Sequence, residues 1–140
     1  MAAFRGEKAF LSNFYLCKIL YDGYWYESVE HAFVAAKTLD FKEREHVRSL
    51  EKPNQAKKYG KTVSLRPDWK DVRVNIMKEL VLQKFVLHKE LRDKLLTIQD
   101  DIVEENEWHD YFWGICGGQG ENWLGKILMR TRDKLKEIRK

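Results

Sequence analysis

Three features of the sequence predict an α+β fold, compact and mainly helical, with one small antiparallel β element. Apolar residues recur at helical spacing through most of the second half of the chain. An Asp-Gly turn signal separates two short aromatic and β-branched runs near the start. Pro53 and Pro67 fall where helices should begin rather than inside them. At 140 residues and 44% hydrophobic content the chain suits one core, with no low-complexity linker, so a single domain over 1–140 is expected.

Taken in order, Tyr15 to Asp22, Gly23, and Tyr24-Trp25-Tyr26 read as a β-hairpin. Ser28 can cap a helix through Lys37, with Glu30 in its first turn, where a carboxylate meets free N–H groups. A charged helix follows from about Phe41 to Ser49. Pro53 opens a short polar helix through Tyr59 that is expected to lie outside, with Gly60 ending it as a left-handed residue. Trp69, Val72, Ile76, Leu80 and Phe85 sustain the central helix over about five turns. Leu91, Leu95, Leu96 and Ile98 continue in helical spacing, and Asp101 to Glu104 is expected to form a strand. An irregular Trp108–Gly114 loop comes next, and Leu124, Ile127, Leu128, Thr131, Leu135 and Ile138 form one face of a final helix.

Composition removes several functional classes. No apolar run approaches the roughly 20 residues of a membrane span, and the stretch from Met1 to Lys8 has no leader-like apolar core, so a cytoplasmic protein without a membrane partner is expected. Cys17 and Cys116 lie far apart and read as two buried thiols. His31, His46, His88 and His109 show no ligand spacing, so no metal is expected. Ser28 and Ser64 lack the context of an acyl-transfer nucleophile. The net charge of +4 is concentrated after Asn122, in Lys126, Arg130, Arg132, Lys134, Lys136, Arg139 and Lys140. Such a helix can meet nucleic-acid phosphates, or it can be a solvated face with cations suited to the helix C-terminus.

Two regions carry chemistry. Glu30 and Lys37, seven apart, fall nearly on one helix face about 10 Å apart along the axis, with the aromatic Phe33 between them. A capping glutamate and a snorkelling lysine would produce the same spacing. From Asp100 to Asp110 stand Asp100, Asp101, Glu104, Glu105, Glu107 and Asp110 with no basic residue among them. Trp108, Tyr111, Phe112 and Trp113 adjoin Asp110 and precede Gly114, Gly117, Gly118 and Gly120, so large rings sit beside a backbone that a ligand can approach closely. The glycine spacing matches neither the dinucleotide fingerprint nor the phosphate-loop lysine motif, and no cofactor is expected.

Seven motifs in order carry a resemblance over nearly the whole chain. They are Phe10-Leu11-Ser12-Asn13-Phe14-Tyr15, Ser28-Val29-Glu30-His31 with Lys37, Leu65-Arg66-Pro67-Asp68-Trp69, Lys84-Phe85, Ile102-Val103-Glu104, Asp110-Tyr111-Phe112-Trp113-Gly114, and Gly118 to Gly125 with Leu128-Met129. Together they resemble the NADAR, or YbiA-like, family. The resemblance implies a mainly helical α+β domain that hydrolyses N-glycosidic bonds in a small nucleotide-like substrate. That substrate is either a ribosylamino-pyrimidine phosphate of riboflavin biosynthesis or ADP-ribose on guanine, including ADP-ribosylated DNA. Matching motif positions gives Glu30, Lys37 and Asp110 as catalytic residues. Asn13, Phe14, Arg66, Glu104, Trp113, Gly114 and Asn122 are the residues expected to shape the pocket. The chain departs from the pattern at Val34, where many members have Gln, and at Leu16-Cys17-Lys18.

Cleaving a ribosyl C–N bond builds positive charge on the ring oxygen and anomeric carbon, so a nearby carboxylate favours the transition state. Glu30 is assigned that role or activation of water, and Asp110 or Glu104 supplies a proton to the leaving base. Lys37 either anchors a phosphate or hydroxyl or, if neutral, attacks the opened sugar as a Schiff-base nucleophile. Trp113 and Phe14 would stack on a base, and Arg66 would grip a phosphate bidentately. The alternative from another class is a non-catalytic module that binds ADP-ribose or a nucleotide.

Overall fold

The computed structural model describes residues 4–139, without the Arg139 side chain. Met1, Ala2, Ala3 and Lys140, on which the leader and basic-tail readings partly rest, lie outside the described residues. Two compact units make up the chain: Asn13–Lys84, and the chain up to Ser12 together with Phe85 onward.

In the first unit, β1 (Ile19–Tyr21) and β2 (Tyr24–Tyr26) pair antiparallel with Ile19 opposite Tyr26. The two turn residues, Asp22 (φ 49°) and Gly23 (φ 86°), both take the left-handed conformation that a two-residue hairpin needs. Helix α1 (Val29–Ala36) begins where the Ser28 hydroxyl oxygen accepts the His31 N–H. It packs against the hairpin, α2 (Phe41–Ser49) and α3 (Pro53–Tyr59). Asp40 caps α2 by accepting the Glu43 N–H at 3.0 Å. Within the unit Val29, Ala32, Phe33, Val34, Ala35, Ala36, Val47, Ala56 and Trp69 are all buried. The Phe33 and Trp69 rings stand 4.9 Å apart.

The short polar helix lies outside as expected except at Ala56, which is buried. Gly60 does not end it in a left-handed conformation: its φ is −59°. Glycine is required there for space, because a Cβ would stand 2.9 Å from Cγ2 of Val34.

Helix α4 (Trp69–Leu87) is the long central helix and α5 (Lys89–Thr97) follows it directly. In the second unit a 3₁₀ turn, Gly6–Leu11, buries Phe10 and Leu11, and Phe10 meets Phe85 edge to face at 6.4 Å. Helix α6 (Trp123–Arg139) packs against α5 and buries Leu124, Ile127, Leu128, Thr131 and Leu135, the face expected of it with the exception of Ile138, which is exposed. Arg132 turns inward, donating to the Ile98 and Asp100 carbonyls at 3.1 and 2.8 Å. Part of the basic helix is therefore structural.

No strand forms over 101–104. The residue that follows it, Glu105, makes one isolated bridge to Ile115, and a lone bridge does not make a sheet. The thiols of Cys17 and Cys116 are half-buried rather than buried.

Candidate active site

Helix α1 is buried almost all round. Between Val29 and Lys37 only Glu30 and Lys37 are half-buried, and every other residue is buried. Two helical turns separate them, so the one partly open stripe of this helix carries a carboxylate and an amine. The Glu30 N–H donates to the Asn13 carbonyl at 3.0 Å, fixing the start of the helix to the segment that bears Phe14. Asn13 turns its own amide toward Met77 Sδ, at 3.6 Å.

Burial holds the Lys37 ammonium below its ordinary range. Glu30 pulls it back up, and the charges of Lys57 and Lys61 push it further down. A lysine so placed yields neutral amine at lower pH than an exposed one.

His31, next to Glu30, faces the other way. It is fully buried, with Nδ1 2.7 Å from the Ser28 hydroxyl and Nε2 3.0 Å from the Leu50 carbonyl. A carbonyl only accepts, so Nε2 carries the proton and Nδ1 accepts from Ser28. Burial lowers its pKa.

Arg66 is committed within the protein. Its Nε and Nη2 donate to the two oxygens of Asp68 at 2.7 and 3.2 Å, and Nη1 reaches the Ala36 carbonyl at 3.4 Å. The fork expected to hold a phosphate thus holds Asp68. Arg66 N also donates to the Lys37 carbonyl at 2.7 Å. Arg44 adds bonds to the carbonyls of Ala35 and Thr38 at 3.0 and 2.8 Å. Two arginines therefore close the carbonyl end of α1 beneath Lys37, answering the unpaired groups that every helix end leaves. A cavity of about 430 Å³ lies on their side, lined by Tyr21, Asp22, Arg44, Arg66, Glu79 and Gln83 among others; Glu30, Lys37 and Phe14 do not line it.

The remaining candidates gather in the second unit, on the loop between α5 and α6. Asp110 Oδ1 accepts the N–H groups of Phe112 and Trp113 at 3.1 and 2.9 Å, a local turn that fixes the carboxylate against the backbone of both residues. Asn106, which sequence reasoning missed, braces this turn: it exchanges hydrogen bonds with the Asp110 backbone, both at 3.0 Å. Asn122, in a left-handed conformation (φ 55°), accepts the Glu104 N–H through Oδ1 and donates to the Ile102 carbonyl through Nδ2, both at 3.0 Å. Its amide thus fixes the backbone that carries Glu104. Gly114 lies so close to this segment that a Cβ would stand 2.3 Å from the Glu104 carbonyl oxygen. The loop also satisfies the start of α6, where Asn122, Trp123 and Leu124 donate to the carbonyls of Gly114, Phe112 and Trp113.

Each unit thus groups its own share of the candidates: Asn13, Phe14, Glu30, Lys37 and Arg66 in the first, and Glu104, Asp110, Trp113, Gly114 and Asn122 in the second. Lys57, half-buried with its ammonium over the Phe14 ring, escaped the sequence reading because it sits on a polar segment that looks like solvated surface. Among the described residues no group of three or more His, Cys, Asp or Glu is placed to hold a metal ion, and no helix is long and apolar enough to cross a membrane.

The sequence profile of the NADAR domain matches residues 3–136. A riboflavin biosynthesis protein of Vibrio vulnificus is 38% identical over 131 residues, covering 91% of this chain and 36% of that protein, so this chain spans about a third of its length. The N-glycosidase YbiA of Escherichia coli is 38% identical over 127 residues, covering 89% of this chain and 79% of that protein. The NMR structure of E. coli YbiA superposes with a TM-score of 0.87 at 35% identity, covering 99% of this chain and 84% of that one.

Proposed function

This chain belongs to the NADAR domain family, and from that premise we propose that it is an N-glycosidase that hydrolyses the ribosyl C–N bond of a phosphorylated, nucleotide-like substrate. The observation that carries the proposal is the pairing on α1: in a helix otherwise buried, Glu30 and Lys37 alone are half-exposed, and Lys37 is held below its ordinary pKa. The family profile runs across both compact units, which supports treating 1–140 as one functional domain.

In the proposed reaction the bond between the anomeric carbon and the base nitrogen breaks, with its electron pair leaving on the base. The carboxylate of Glu30 stabilises the cationic sugar or takes a proton from the water that adds to it. The departing nitrogen gains a proton from Asp110 or Glu104. Lys37 has two roles open to it. As an ammonium it binds an anionic or hydroxyl group of the substrate; as a free amine it adds to the aldehyde of the ring-opened sugar, loses water to form a Schiff base, and is released by hydrolysis. Phe14 and Trp113 offer aromatic faces for a base. Arg66, engaged by Asp68, contributes by holding the end of α1 rather than by gripping substrate.

Ribosylamino-pyrimidine phosphates are the first substrates to assay, since one relative is named for riboflavin biosynthesis. ADP-ribosylated guanine, free or in DNA, is the second. Both contain the bond this site would cleave, and both would be met in the cytoplasm. The test is to incubate wild-type protein and the Glu30→Gln variant with each substrate and follow release of base and sugar phosphate by mass spectrometry. Release by the wild type and not by the variant is expected. Binding of either substrate with no turnover by the wild type would overturn the enzyme reading and leave a nucleotide-binding module.

A further inference from the structure

The loop between α5 and α6 carries both candidate proton donors, Glu104 and Asp110, and a buried residue ties the backbone of one to that of the other. Asn106 is 6% exposed. Its Oδ1 accepts the Asp110 N–H and its Nδ2 donates to the Asp110 carbonyl, each at 3.0 Å. A longer bond runs from Nδ2 to the Ile115 carbonyl at 3.4 Å. Both polar atoms of the side-chain amide are therefore engaged, and both hold the same residue.

The other end of this brace is anchored as well. The Asn106 N–H donates to the Ile115 carbonyl at 2.9 Å, and the Ile115 N–H donates to the Glu104 carbonyl at 2.7 Å. Gly114 shows how near the side chains come: a Cβ placed there would stand 2.8 Å from Asn106 Nδ2 and 3.1 Å from Glu104 Oε1. The Glu104 carboxylate and the Asn106 amide thus face one point of the Gly114 backbone, and the same amide holds Asp110.

An asparagine that only stapled a loop could take any backbone groups within reach. Asn106 takes both backbone groups of a candidate acid, across a turn in which His109, the residue before Asp110, is left-handed at φ 64°. Outside glycine such a conformation is uncommon and persists where surrounding contacts impose it. With its backbone held in this way, Asp110 offers Oδ1 to the N–H groups of Phe112 and Trp113.

We propose that Asn106 is a positioning residue of the reaction: by fastening Asp110 to the backbone that carries Glu104, it sets the separation of the two carboxylates that serve the departing base. The inference rests on the N-glycosidase reading. Asn106 itself touches no substrate, so its effect falls on turnover and not on affinity, and a small displacement of a proton donor is enough to slow the chemical step.

The test compares the wild type with Asn106→Ala, Asn106→Ser and Gly117→Ala at equal folded fraction, on a ribosylamino-pyrimidine phosphate and on ADP-ribosylated guanine. Gly117→Ala strains the same loop where a Cβ meets nothing within 4 Å, and controls for lost loop stability alone. Asn106→Ala should lower kcat by about 10–100-fold with KM within a few-fold, while Gly117→Ala keeps a kcat near that of the wild type. Asn106→Ser, the milder change, should lie between Asn106→Ala and the wild type, and stands in if the alanine variant fails to fold. Hydrogen exchange of the Asp110, Phe112 and Trp113 amides should be faster by about 10-fold in Asn106→Ala. A fall in kcat no larger than that of Gly117→Ala, a fall expressed through KM, or unchanged exchange overturns the positioning role and leaves the glycosidase reading intact. A wild type that turns over neither substrate overturns the glycosidase reading, and this role with it.

Discussion

Asn122 grips the backbone on both sides of Val103: its amide oxygen accepts the Glu104 N–H and its amide nitrogen donates to the Ile102 carbonyl, each at 3.0 Å. The residue is buried and left-handed, a conformation that asparagine adopts more readily than most. Asn122→Ala removes both bonds and adds backbone strain, and is expected to cost about 2–4 kcal/mol, read as a lowered urea midpoint. Asn122→Gly relieves the strain but not the lost bonds, and should recover only part. Asn122→Asp sets an oxygen against the Ile102 carbonyl and should fare little better than alanine.

Glu30 and Lys37 can be separated chemically. Glu30→Gln should reduce kcat by about 100-fold or more while ribose 5-phosphate binding changes only a few-fold. Glu30 raises the Lys37 pKa while Lys57 and Lys61 lower it. Labelling of Lys37 by an amine reagent, followed against pH by mass spectrometry, should therefore begin at lower pH in Glu30→Gln and at higher pH in Lys57→Gln than in the wild type. The same order for all three proteins would show that these charges do not act on Lys37. Trapping with borohydride during turnover should mark Lys37 if it forms a Schiff base, and Lys37→Arg should then be inactive.

Lys84 is almost wholly buried, with its ammonium 5.7 Å from the centre of the Tyr15 ring, and burial pushes its pKa from 10.5 down to about 8. Between those values the unfolded chain holds a proton that the folded protein has released, so folding stability gains from this residue as pH rises from about 8 towards 10.5. The full effect is on the order of 3 kcal/mol. Lys84→Met should flatten this rise. Urea unfolding at pH 7 and pH 10 on both proteins checks it, and parallel slopes would contradict it.

Gly114 and Gly117 should fail differently when changed to alanine. At Gly114 the new methyl meets the Glu104 carbonyl at 2.3 Å and the Asn106 amide at 2.8 Å, so the Glu104 segment must move. A loss of about 1–3 kcal/mol together with impaired turnover is expected. At Gly117 there is open space but φ is +61°, so the cost is local strain of about 1–2 kcal/mol. Activity of the two variants at equal folded fraction checks the distinction.

Those parts of the fold governed by neighbours in sequence were legible in advance. The Asp22-Gly23 turn, the Ser28 cap and the periodic face of α6 are short-range devices, and each is present apart from the exposed Ile138. What depended on distant residues was not. Gly60 reads as a left-handed helix stop, yet its reason for being glycine is Val34, which no local pattern announces. The run 101–104 has strand composition but no partner strand. At the site, the Glu30/Lys37 stripe followed from helical period alone. The attachment of Arg66 to Asp68 and to the end of α1 was not legible, because it depends on how the chain turns at Pro67. Lys57 belongs to a segment whose polarity makes it look like plain surface, yet it is half-buried against the Phe14 ring.

Glu30 and His31 stand side by side in the chain and diverge in space, one partly open and the other fastened inside between Ser28 and Leu50. A mutational survey scored on survival or total activity would find both positions equally intolerant and would present them as a dyad. The two defects would part only on a second axis: losses at position 31 should follow the amount of folded protein recovered, whereas losses at position 30 should leave yield untouched and fall wholly on turnover per folded molecule.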